Sequence, residues 1–266
     1  MPLLPETATS GLLSCLSSGD IRVYGRTCKD ARGQVDAYWK RALNISRLLL
    51  PFFTDHKARD FRIIQAATGA LISGSTALQF FARTRYPDSD LDVYVEHRFA
   101  LELLSFLEAI GYTFVSTEQP PNKHLPDLRV IVERAASIMA GHIVAGYTPG
   151  TGIAGVYNMR KADKVIQVIT ATESPMDIIL NFHSTVVMNA ISYSHAYSLY
   201  PSATFNHSLS LVSYCGESVG RNEGAEIARK KYISRGWKMV EHDGSPWNPN
   251  SVIELNPMEN IFPSSS

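Results

Sequence analysis

The sequence lacks most of the features that would assign a chain to a class at a glance. Only three cysteines occur in 266 residues, Cys15, Cys28 and Cys215, and no two form a CxxC pair. Such spacing argues against a zinc site and a disulfide framework, and fits a reducing compartment. No stretch reaches the roughly 20 apolar residues that a membrane span needs. The opening Met1-Pro2-Leu3-Leu4-Pro5-Glu6 has neither the basic start nor the apolar core of a secretion signal. Net charge is also missing, with 25 Lys+Arg against 25 Asp+Glu. A neutral chain has no dominating basic surface, which disfavours bulk nucleic-acid binding but leaves room for a local basic groove. Repeats and low-complexity tracts are absent. These gaps lead to the expectation of a soluble cytoplasmic or nuclear protein without a membrane partner. What is present is apolar material, 45% of the residues, enough for one large domain with a small appendage.

The pattern divides the chain into three parts. Residues 1–45 read as helical, 46–242 as the main domain and 243–266 as an extended tail rich in Pro, Asn and Ser. In the first part, Leu12, Leu13 and Leu16 lie at helical spacing. Ser17-Ser18-Gly19-Asp20 is a break carrying an N-cap candidate, ahead of a helix with Ile21, Val23 and Tyr24. Val35, Tyr38, Trp39 and Ala42 then share a helical face, and Pro51 ends the next apolar run.

The main domain changes period. Ala70 to Ser73 is a short strand, followed by Gly74-Ser75 and a helix with Ala77, Leu78, Phe81 and Ala82 on one face. Asp90 to Val95 alternates as a half-buried strand. Phe99 to Ile110 is an amphipathic helix stopped by Gly111. Tyr112 to Val115 is a strand candidate, Ser116 to Asp127 a loop, and Leu128 to Ala140 a helix. Gly152 to Ile169 suggests a β-hairpin turning within 158–163. Ser174-Pro175-Met176-Asp177 is a helix start, and that helix is expected to run to about Ser192. Glu223 to Ser234 is a last long helix.

Strand, Gly-Ser, helix is a chemically apt phosphate cradle. Glycine admits close backbone approach, and a helix N-terminus presents unpaired N–H groups to an anion. Ser75 adds a hydroxyl. In a strand, Asp90, Asp92 and Tyr94 share one face while Leu91, Val93 and Val95 take the other. The two aspartates would stand about 7 Å apart at Cα, close enough to share Mg²⁺ that bridges a triphosphate.

Leu71-Ile72-Ser73-Gly74-Ser75 followed by Ser89-Asp90-Leu91-Asp92-Val93-Tyr94-Val95 resembles the nucleotidyltransferase superfamily. The likeness is close over 70–95 and extends over 60–195 in element order. It implies an α/β (α+β) fold, a mixed sheet flanked by helices. It further implies phosphate or nucleotide binding at Gly74 and Ser75, and metal and catalytic roles for Asp90 and Asp92, with Mg²⁺ and a nucleoside triphosphate as cofactor and substrate. It also implies a third carboxylate on a neighbouring strand. On Val165-Ile166-Gln167-Val168-Ile169, alternation puts Gln167 there, a side chain that brings no charge and cannot act as a base. Glu173 is the best substitute nearby, ahead of Asp163 (a turn residue) and Asp177 (a helix-start acid). His183 and Asn181 fall mid-helix on this reading, with His183 more a packed residue than a ligand. Arg83, Arg85, Lys230 and Lys231 are candidate phosphate partners of low weight. Mg²⁺-dependent nucleotide transfer and a catalytically impaired binding module both remain open.

Residues 4–39 are similar to a degenerate F-box, through Leu4-Pro5-Glu6, Leu12-Leu13, Leu16, Asp20-Ile21, Thr27-Cys28-Lys29 and Tyr38-Trp39. That likeness implies docking to a Skp1-type adaptor of a ubiquitin ligase. Ala8, Thr9 and Gly11 depart from it, and Gly11 costs a helix about 1 kcal/mol. The alternative is a helical extension packed on the main domain. The whole chain also resembles fungal proteins that join such an N-terminus to a Ser-Asp-Leu-Asp strand, a likeness that implies no particular activity.

Overall fold

A computed structural model describes residues 6–87, 89–115, 127–139, 152–214 and 223–248. Leu4 and Pro5 of the N-terminal motif, the Pro120-Pro121 loop, Cys215 and the tail beyond 248 lie outside the described residues.

Helices α1 (Glu6–Cys15), α2 (Ser18–Tyr24) and α3 (Lys29–Ala42) open the described chain. The break between α1 and α2 works as its sequence suggests, because Ser17 Oγ accepts the Asp20 N–H at 3.0 Å. Leu13, Ile21, Val35 and Tyr38 form a small core of their own, with Leu16, Tyr24, Trp39 and Ala42 packed on it. Val23 does not join them and is 61% exposed, since a seven-residue helix buries a single stripe. Arg83 holds this unit to the main domain. Its guanidinium donates to Leu13 O, Leu16 O and the Tyr38 hydroxyl, and lies over the rings of Tyr38 and Trp39. Arg83 is therefore a structural clamp and not the phosphate partner considered from sequence.

Helices α4 (Ile45–Leu49) and α5 (Asp55–Thr68) follow, α5 being an element that the sequence pattern did not disclose. Strand β1 (Leu71–Ser73) runs directly into α6 (Gly74–Ala82), and β2 (Leu91–Glu96) returns beside β1. Then come α7 (Ala100–Ala109), β3 (Thr113–Val115), α8 (Leu128–Met139), β4 (Ile153–Lys161) and β5 (Lys164–Ala171). The β4–β5 hairpin turns more tightly than expected, on Ala162 and Asp163 alone, and Ala162 takes a left-handed φ of 51°. After these come α9 (Pro175–Leu180), β6 (Asn189–Ile191), β7 (Ala196–Ser198), α10 (Pro201–Asn206), β8 (Leu209–Leu211), α11 (Glu223–Ser234) and β9 (Lys238–Val240).

Among the described residues seven strands form one mixed sheet in the order β3-β4-β5-β2-β1-β6-β7, with β2 and β5 parallel and the other neighbours antiparallel. Strands β8 and β9 pair separately. The main core lies on one face, where Leu91, Val93 and Val95 of β2 meet Leu103, Leu104 and Leu107 of α7. The other face is covered as well. Tyr94 packs on Phe182, with ring centroids 5.7 Å apart, so β2 is buried on both sides in its middle and not half-buried as its alternation suggests. Two further expectations are corrected. The helix opened by Ser174 ends at Leu180, and the chain then supplies β6 to the open side of β1. The segment from Asp243 begins by folding back, with Trp247 N–H bonded to Met239 O at 3.0 Å and its ring packed among Val186, Tyr232 and Trp237.

Candidate functional site

The site is set by how β1 passes into α6. Gly74 takes φ 63°, a left-handed value open to glycine at little cost. A Cβ here would stand 2.2 Å from Asp92 Oδ2. The Asp92 carboxylate thus occupies the space that a side chain at 74 would fill, and it accepts the backbone N–H of Ser75 in the first turn of α6. A carboxylate at a helix N-terminus is favoured by the dipole. Thr76 Oγ1 donates to Asp90 O at 2.6 Å and Ser75 Oγ to Ser89 Oγ at 3.3 Å, which ties α6 to the approach to β2.

Gly74, Ser75, Asp90 and Asp92 do come together, as the sequence suggests. They line a cavity of about 230 Å³ with Tyr94, Phe182, His183, Val187, Lys231 and Tyr232. Burial and the neighbouring Asp90 push the Asp92 carboxyl up to about 7, against the pull of Lys231 and the Ser75 N–H. Burial also raises Asp90, against the pull of Lys231 and Arg160. Two crowded carboxyls with too little compensation form a site that favours a cation. Mg²⁺ is commonly held by one or two carboxylates with phosphate and water completing the shell, so Asp90 and Asp92 fit it as donors. Among the described residues no group of three or more His, Cys, Asp or Glu could hold a metal.

The neighbouring strand carries the residue expected from alternation. Asp92 pairs in register with Gln167 on β5, and Gln167 with Asn158 on β4. Gln167 Nε2 donates to Asn158 Oδ1 at 2.8 Å. The substitute acids lie elsewhere. Asp163 pairs with Lys164 at 2.8 Å in the exposed hairpin turn. Glu173 and Asp177 are exposed at the start of α9 and do not line the cavity. Arg85 and Lys230 are exposed and also lie off the lining.

His183 and Asn181 are not mid-helix. Asn181 ends α9 and turns its Nδ2 back to Asp177 O at 2.8 Å. His183 follows on a loop in the cavity wall, stacked on Tyr232 with centroids 5.9 Å apart. Burial, with Arg229 and Lys231 adding to it, pushes the imidazole down to about 4, so the ring is neutral at pH 7. Its Nδ1 shares a hydrogen bond with Ser184 Oγ at 2.8 Å. Lys231 is the one low-weight basic candidate that reaches the cavity. Phe182, Val187, Tyr232 and, near Asp90, Arg160 carry no sequence signal for the site, since nothing local to them connects them with residues 74–92.

No protein-family model matches the sequence, and comparison with curated proteins finds no match. A solved structure titled "The structure of CCA-adding enzyme apo form I" is similar over 73% of this chain and 46% of that one, with a TM-score of 0.40 and 12% sequence identity. This chain thus spans less than half the length of that protein.

Proposed function

We propose that the cavity holds a Mg²⁺-bound nucleoside triphosphate, and that the chain is a nucleotidyltransferase-fold nucleotide-binding protein whose transfer step is severely slowed. One observation carries the reading. Asp90, Asp92 and Lys231 face one cavity at a glycine-started helix N-terminus. Asp90 and Asp92 would hold the metal, which when bound neutralises phosphate charge and acidifies an attacking hydroxyl. Gly74 would present its backbone N–H to phosphate with the Ser75 hydroxyl beside it, and Lys231 would add a charged donor. A volume of about 230 Å³ suits the phosphates and the cation better than a whole nucleotide, so the base and sugar extend past the rim. Gln167, where a third acid was expected, and its partner Asn158 supply neither charge nor base, which supports slow transfer over efficient catalysis.

Calorimetry tests this. Wild type should bind Mg²⁺-ATP, and Asp90→Ala/Asp92→Ala should lose at least tenfold in affinity, about 1.4 kcal/mol. Failure of wild type to bind any nucleotide would reject the reading.

A second reading concerns the N-terminus. The separate core of Leu13, Ile21, Val35 and Tyr38 supports a module that presents its outer face to a Skp1-type adaptor. Among the described residues there, Leu12 and Val23, 45% and 61% exposed, are the large apolar side chains turned outward. Deleting residues 1–45 would also strip the clamp partners of Arg83, so surface substitutions are the cleaner probe. Co-purification with the adaptor should occur and should vanish in Leu12→Asp/Val23→Asp. No complex with the wild-type chain would end this reading.

A further inference from the structure

Asp92, Gln167 and Asn158 form a row across β2, β5 and β4, because each pairs in register with the next. Register partners on adjacent strands project to the same face. Two of the three are neutral amides locked to each other by the 2.8 Å bond. Beside the carboxylates stand cations. Lys231 lines their cavity from α11, and Arg160 lies two residues beyond Asn158 on the same face of β4, acting on Asp90.

The charges decide how many metal ions the pair takes. Within the cavity two carboxylates face one basic side chain, Lys231, which leaves a single formal negative charge before any ligand arrives. One divalent ion turns that into a net positive charge, which matches a polyphosphate. A second divalent ion about 4 Å away would meet roughly four times the repulsion between unit charges at that distance. No third carboxylate stands in the row to offset it. Lys231 already supplies positive charge on the cavity side without needing a ligand set.

We propose that the site holds one divalent cation, not two, and that Lys231 stands in for the second ion against the ligand's phosphate chain. This rests on the metal–nucleotide reading above, and the experiment separates the two.

Mn²⁺ is titrated into the full chain, with the Asp90→Ala/Asp92→Ala protein as background, and inorganic tripolyphosphate is then titrated into the Mn²⁺-loaded protein. Wild type should take one Mn²⁺ above background. Gln167→Glu should take two, and Asn158→Asp, on the same row, serves if that variant does not fold. Lys231→Ala should keep its one Mn²⁺ but bind tripolyphosphate on the order of tenfold more weakly, with Lys231→Arg restoring most of the affinity. Two ions on wild type, one ion on a folded Gln167→Glu, or unchanged tripolyphosphate binding by Lys231→Ala would each overturn this inference and leave the nucleotide reading standing. No Mn²⁺ on wild type or Gln167→Glu would overturn both.

Discussion

Asp92→Asn is expected to stabilise the metal-free protein at pH 8 by about 2–4 kcal/mol and to change nothing near pH 4. The sign follows from the direction of the shift. Asp92 is held near 7 in the fold against 3.8 for the free carboxyl, chiefly by burial and then by Asp90. Below 3.8 the group is protonated in both states, and the fold bears no charge penalty. Between 3.8 and 7 the unfolded chain ionises first, so stability falls as pH rises through that window. Above 7 the loss is complete, with a ceiling of about 4 kcal/mol at ~1.4 kcal/mol per pK step. Asn removes the charge yet keeps an oxygen to accept the Ser75 N–H. Urea unfolding of both proteins from pH 4 to 8 should give curves that meet at the acid end and separate upward. Millimolar Mg²⁺ should then stabilise wild type and leave Asp92→Asn unmoved, because only the carboxylate gains by binding it. Parallel pH profiles for the two proteins would mean that Asp92 ionises as an ordinary surface acid.

Gly74→Ala should cost about 2.5–4 kcal/mol and abolish cation binding, through two separable causes. The first is backbone strain, since an L-residue at φ 63° loses roughly 1 kcal/mol. The second is displacement, because the new Cβ would lie 2.2 Å from Asp92 Oδ2 and 3.2 Å from its Cγ. The carboxylate would have to rotate away and give up the Ser75 N–H, a charge-assisted bond of about 1.5–3 kcal/mol. A double-mutant cycle distinguishes these terms. In an Asp92→Ala background the clash is gone and Gly74→Ala should cost only the backbone strain. Equal costs in both backgrounds would show that Asp92 does not occupy the space beside Gly74.

The parts of the site that were legible in the sequence are those whose geometry is local. Strand, glycine and helix start lie within a few residues, and their conformations follow from chain sterics and capping. Alternation along β2 and β5 put Gln167 on the face that carries Asp90 and Asp92, and Gln167 pairs in register with Asp92. The errors arose where a local pattern admits two outcomes. The apolar run after Ser174 suits a helix as well as a strand. It divides because Asn189–Ile191 completes the free side of β1, where unpaired backbone groups need a partner. Arg83 looked like a free cation because its partners, Leu13, Leu16 and Tyr38, lie far upstream in the chain.

By itself, then, the sequence determined the chemistry at one end of α6, namely a glycine-borne helix N-terminus, two aspartates on one face of a strand, and an amide where an acid was expected. Tertiary structure alone decided what faces them. Lys231 and Tyr232 arrive on α11 and His183 on the loop after α9 because the core around Val186, Trp237 and Trp247 packs those segments over the sheet. Packing between distant segments is set by shape and burial across the whole core, and no local period in a sequence encodes it.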